Sequence, residues 1–111
     1  MVNSDAILRL RKQVGGPRDG ALLRFSLANA LLADAQAAEA AIELRRALEF
    51  DPLYSAAWKL LARSLTEAGD PGAAIEAYER GIEVATARGD KQAASEMKVF
   101  LRRLVKAGSN G

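Results

Sequence analysis

Apolar residues recur every three or four positions through most of the chain, and no run of β-branched or aromatic residues alternates with polar ones as a strand would. The first period stacks apolar side chains on one face of a helix, and the second, which a half-buried strand needs, is missing. Gly, Pro and Asp punctuate the pattern into six helical segments. Ser4 or Asp5 is placed to cap a first helix running to Val14, where Gly15-Gly16-Pro17 stops it. Asp19 is placed to cap a second, from about Gly20 to Ala33. After Asp34-Ala35-Gln36 a third helix spans about Ala37 to Phe50. It ends before Asp51-Pro52, because a residue preceding proline is pushed out of the helical region. A fourth helix spans about Ser55 to Ala68 and ends at Gly69. Asp70-Pro71 reads as N-cap and first helical residue of a fifth, where the missing proline N–H costs nothing. That helix runs to about Arg88. Gly89-Asp90 repeats the stop and cap, and a sixth runs to about Lys106, followed by a tail, Gly108 to Gly111, expected to fray.

Composition strengthens this reading. Ala and Leu dominate, β-branched residues are sparse, and half of the 111 residues are hydrophobic with 27% charged. Such a chain is a soluble, helix-favouring one with enough length for one modest core. Loops of two to five residues make successive helices antiparallel neighbours.

The hairpins repeat with a spacing of 34 residues. Leu27, Ala28 and Leu31 match Leu61, Ala62 and Leu65; Ala40, Leu44 and Leu48 match Ala74, Tyr78 and Ile82. Small residues align with small and large with large. In one repeat Trp58-x-x-Leu61-Ala62-x-x-Leu65 is followed by Ala74-x-x-x-Tyr78. In the other Leu27-Ala28-x-x-Leu31 is followed by Ala40-x-x-x-Leu44, Ala47 and Asp51-Pro52. This pattern resembles the tetratricopeptide repeat (TPR) family. The resemblance implies an all-α fold of antiparallel helical hairpins, stacked as a short right-handed solenoid of about six helices. Its expected organisation is one domain over residues 1–111: an N-terminal capping helix at 1–16, repeats at 21–54 and 55–88, and a C-terminal capping helix at 89–106. The small pairs Ala28 with Ala40 and Ala62 with Ala74 would let two helices approach closely, and Ala47 and Gly81 would do the same toward the next hairpin. Trp58 would be largely buried between hairpins.

Three positions depart from the family pattern. Arg24 stands where the first repeat should have its aromatic, so its packing is either weaker or completed by the first helix. Ala35 stands at the turn glycine. Thr86 replaces a proline, so the fifth helix should run about a turn further.

The resemblance also implies a function: binding a protein or peptide in the concave groove lined by the first helix of each hairpin. Carried over, the groove residues are Leu22, Phe25, Asn29 and Leu32, then Lys59, Arg63 and Glu67, and Met97 from the sixth helix. Some family members hold a C-terminal carboxylate with Lys and Asn; Asn29 fits that pattern, while Phe25 and Leu60 replace the expected Lys and second Asn. Lys59 and Arg63, one turn apart, suggest an acidic partner and a salt-sensitive contact. The alternative is a structural subunit or homo-oligomer associating through the C-terminal capping helix; a monomer is the expectation otherwise.

Charge and chemistry narrow the rest. Net charge is +2, from 16 basic and 14 acidic residues that are interspersed, and this is not the dense basic stripe of a nucleic-acid binder. With no Cys and no His, disulfides, Cys/His metal sites, thiol nucleophiles and His-based triads are excluded. Acid pairs such as Glu76/Glu79 and Glu79/Glu83 read as solvation of a helix. No catalytic residue, metal or cofactor is expected. The N-terminal apolar run is broken by Arg9, Arg11 and Lys12, unlike a signal peptide, and no stretch approaches the ~18 apolar residues of a membrane helix. These features give a cytoplasmic protein as the expectation, with no membrane partner.

Overall fold

The structure is a computed structural model that describes residues 2–110, with side chains described for residues 4–109. Six helices follow one another: α1 (Val2–Arg11), α2 (Ala21–Ala33), α3 (Ala37–Phe50), α4 (Ser55–Glu67), α5 (Pro71–Ala87) and α6 (Lys91–Asn110). No strand occurs among the described residues. Each helix packs mainly on its neighbours in the chain, with α4 also touching α6. This is the nearest-neighbour stacking of a helical solenoid. The shape follows: the radius of gyration is 14.2 Å, against about 13 Å for a spherical domain of this length.

One shallow core runs through the stack. Leu27, Leu31, Leu44, Leu61 and Met97 are fully buried. The alanine pairs Ala28/Ala40 and Ala62/Ala74 are also without exposed surface, as close helix approach requires. Gly81 is tighter still. A Cβ there would lie 2.6 Å from the Met97 sulfur and 2.9 Å from Trp58 Cβ, so α4, α5 and α6 converge on a residue with no side chain. Trp58 itself is only partly buried. Its indole N–H donates to the Pro52 carbonyl at 2.9 Å, and the Arg80 guanidinium lies 5.8 Å from its ring centre.

The turns explain the helix boundaries. After α2, α4 and α5 the chain takes a left-handed residue, Ala35 (φ 60°), Gly69 (φ 83°) and Gly89 (φ 76°). In each case the next N–H reaches back five residues, Gln36 to Leu31 at 2.8 Å, Asp70 to Leu65 at 2.9 Å and Asp90 to Ala85 at 2.8 Å. These are Schellman closures, which satisfy the last helical carbonyls. Asp70 and Asp90 then accept from the N–H groups of Ala73 and Ala93 at 3.2 and 3.1 Å, as N-cap aspartates do. With Thr86 in place of proline, α5 continues to Ala87, whereas α3 stops at Phe50 before Asp51-Pro52.

Four expectations are corrected. The first helix begins at Val2, before Ser4 and Asp5, and ends at Arg11. Beyond it the N–H groups of Gln13 and Val14 bond three residues back, tightening the chain into turns. Asp19 does not cap α2 in the usual way, since Gly20 holds that position without a side-chain bond. Asp19 is drawn instead to Arg24. The tail does not fray before Asn110; α6 runs through Gly108 and Ser109, whose hydroxyl donates to the Val105 carbonyl at 3.1 Å. Gly111 lies outside the described residues.

Arg24 replaces the expected aromatic with an ion network. Its Nε and a terminal nitrogen donate to the two carboxylate oxygens of Asp19, both at 2.9 Å, and its other terminal nitrogen donates to Glu43 of α3 at 2.8 Å. All three side chains are nearly covered, with relative exposures of 13%, 10% and 11% for Arg24, Asp19 and Glu43. Planar two-point pairing of this kind is what guanidinium offers over ammonium. The Arg24 guanidinium, helped by the Gly15 N–H, holds the Asp19 carboxyl well below the usual carboxylate range.

Candidate functional site

A groove of about 600 Å³ opens between α2, α4 and α6. Its wall is aromatic because three rings, Phe25, Tyr78 and Phe100, line it, each stacked on another ring. Phe25 stacks on Tyr54 with centroids 5.0 Å apart, and Tyr78 stacks on Phe100 at 6.0 Å. Leu60 and Tyr78 form a buried floor, while Phe100 stays 39% exposed at the edge. Burial pushes the Tyr78 phenol pKa up, with nearby Arg63 opposing, so the phenol stays protonated at neutral pH.

The rim is charged but internally matched. Lys59 Nζ donates to Glu96 of α6 at 2.9 Å, and Arg63 Nε donates to Glu67 one turn along α4 at 3.0 Å. Lys59 and Arg103 also sit over the Phe100 ring, each 5.9 Å from its centre. These pairs are exposed, so each holds its partner loosely.

Of the residues expected to line the groove, Phe25, Lys59, Arg63 and Glu67 do. Leu22 and Asn29 are exposed on α2, Leu22 at 69%, and do not line this groove. Leu32 and Met97 are corrected to core residues. Leu32 is 8% exposed within the α2–α3 packing, and Met97 fills the space above Gly81. Leu60, Tyr78 and Phe100 complete the groove. Tyr78 reads in the sequence as repeat packing, and Phe100 as part of a capping face. Their spacing gave no signal, because the groove edge is set by where α6 crosses α4.

No group of acidic residues capable of holding a metal is found among the described residues. No helix among them is long and apolar enough to cross a membrane.

Comparison with known proteins agrees with this fold. A curated TPR repeat-containing protein of Pseudomonas aeruginosa is 47% identical over 98 residues, which cover 88% of this chain and 93% of the relative. The chain belongs to the tetratricopeptide-repeat family. The profile of a TPR-like family described as the bacterial transcriptional activator domain matches residues 18–103. Among solved structures, a protein of Bordetella parapertussis superposes with a TM-score of 0.79 at 42% identity, covering 91% of this chain and 88% of that one. The TPR domain of Sgt2 from Aspergillus fumigatus gives a TM-score of 0.81 at 28% identity, over 99% of this chain and 72% of that one. TPR folds generally mediate protein–protein interaction, and TPR proteins are typically scaffolds without enzymatic activity.

Proposed function

We propose that this TPR chain binds a peptide segment of a protein partner in the groove between α2, α4 and α6. The observation that supports it is the aromatic wall: Phe100 is a large apolar side chain left 39% exposed beside a buried apolar floor. An apolar anchor from the partner would remove this surface from water at about 25 cal/mol per Å². The expected preference for acidic partners takes a lesser place in this reading. Lys59 and Arg63 already hold Glu96 and Glu67, so an incoming carboxylate must displace a resident one. The rim then orients the segment, and the apolar anchor supplies most of the affinity.

The test is selection of binders from a displayed peptide library, followed by titration against wild type, Phe100→Ala, and Lys59→Glu with Arg63→Glu. Phe100→Ala is expected to weaken binding tenfold or more, about 1.4 kcal/mol. The charge-reversed protein should lose less than that and show little salt dependence. Selected binders that are apolar-free, or indifferent to Phe100→Ala, would refute the anchor reading.

A further inference from the structure

α5 and α6 carry two opposite charge rows that lie side by side. On α5, Glu76, Glu79 and Glu83 recur at three- and four-residue steps, all exposed. On α6, Lys98, Arg102 and Lys106 recur at four-residue steps, also all exposed. Such spacing keeps each row on one face of its helix. Among the described residues only Glu83 of these six has an ion-pair partner, Arg80 at 3.5 Å on its own helix. Neither row pairs with the other across the α5–α6 contact.

At one end of the α5–α6 seam, beyond Glu76 and beside Lys106, lies an apolar recess of about 540 Å³. Pro71 and Ile75 form its side at the start of α5, and Leu104 and Val105 form its side near the end of α6. The two helices are therefore antiparallel, and the rows run at the same levels. Val105 is 47% exposed at the lip of the recess. Ile75 precedes Glu79 by one turn and Val105 follows Arg102 by one turn, so the charged rows flank the apolar seam.

We infer that this face docks a second copy of the chain, with α5 of each copy over α6 of the other. A two-fold axis along the seam, parallel to the helices, keeps every level and exchanges left with right. It lays each acidic row over the partner copy's basic row and brings Val105 against its own counterpart. The face is self-complementary, as an isologous contact must be. An apolar patch at one end and opposite charges along the rest supply the two kinds of contact an interface uses. The charged rim is exposed, so the association is weak and salt-sensitive. The groove is untouched, because Glu96 and Phe100 lie on the other flank of α6. The inference is independent of peptide binding.

Sedimentation velocity over a range of protein concentrations tests it, at about 20 mM and about 500 mM salt. A concentration-dependent dimer is expected at low salt, with its dissociation constant raised tenfold or more at high salt. One variant, Glu76→Lys with Glu79→Lys and Glu83→Lys, makes both rows basic. A second, Lys98→Glu with Arg102→Glu and Lys106→Glu, makes both acidic. Each should be monomeric alone, and an equimolar mixture should form a mixed dimer. Circular dichroism checks that both remain helical; the milder Lys98→Gln, Arg102→Gln, Lys106→Gln protein, expected to weaken the dimer tenfold or more, serves if either unfolds. A wild type that stays monomeric at low salt, a dimer that survives either row reversal, or a mixture without mixed dimer would overturn the inference.

Discussion

Replacing Gly81 by alanine sets two opposing effects against each other. In an isolated helix the change would stabilise by about 1 kcal/mol, because glycine is the poorer helix former. Here the new methyl would lie 2.6 Å from the Met97 sulfur and 2.9 Å from Trp58 Cβ. Both contacts are far inside ordinary van der Waals distance. The thioether of Met97 is fully buried and has little space to swing into, and Trp58 Cβ is fixed to the α4 backbone. Relief requires α5 to move away from α4 and α6. Overpacking of this kind costs about 1–3 kcal/mol, so the net loss should lie between about 0 and 2 kcal/mol once helix propensity is subtracted. A urea melt followed by circular dichroism measures it. Because Met97 supplies half of the clash, the loss should shrink by at least about 0.5 kcal/mol in a Met97→Ala background, a coupling that a double-mutant cycle isolates. A Gly81→Ala protein more stable than wild type would show that the three helices do not converge as described.

Other perturbations probe separate features. Ala35 holds φ 60° on an exposed turn, which costs an L-residue about 1–2 kcal/mol; against the entropy penalty of glycine, Ala35→Gly should stabilise by roughly 0.5–1 kcal/mol in a thermal melt, and a loss would refute the strain. Ser64 is fully buried and its hydroxyl has no hydrogen-bond partner among the described residues; Ser64→Ala should raise stability by about 1 kcal/mol, and a drop would reveal a partner for that hydroxyl. Trp58 is only partly buried against the core, so Trp58→Ala should cost about 2–3 kcal/mol by urea melt, less than the ~3–5 of a fully buried tryptophan, and under about 1 kcal/mol would contradict its packing on the core. Asp19 has its pKa lowered, so the stability it contributes is present above the ordinary aspartate value and lost as the pH falls below about 4 toward its folded value. Asp19→Asn should flatten the acid limb of a pH-dependent melt, and an unchanged limb would argue against the Arg24 pairing.

The parts of the fold legible in the sequence are those governed by local rules. Gly69, Gly89 and Asp51-Pro52 end helices through backbone geometry, so α3 and the starts of α4 and α5 fall where punctuation puts them. The left-handed turn at Ala35 was legible because the family pattern it resembles has a turn glycine at that position. The Arg24 network was not, since Glu43 lies on another helix and its burial depends on how α3 packs. The groove was half legible for the same reason. Phe25, Lys59, Arg63 and Glu67 follow from the family's use of the first helix of each hairpin, which also put forward Leu22, Asn29 and Leu32. Met97 and Phe100, three residues apart on α6, divide between core and groove according to the angle at which α6 crosses the stack.

The claim that a partner's apolar side chain enters the groove is tested most directly by amide chemical-shift mapping. A peptide selected from a displayed library would be titrated into ¹⁵N-labelled protein. The account predicts saturable shifts concentrated at Phe25, Lys59, Leu60, Arg63, Tyr78 and Phe100, with the outer face of α5 unaffected. Shifts confined to α3 and the outer face of α5, with Leu60 and Tyr78 unmoved at saturation, would contradict it.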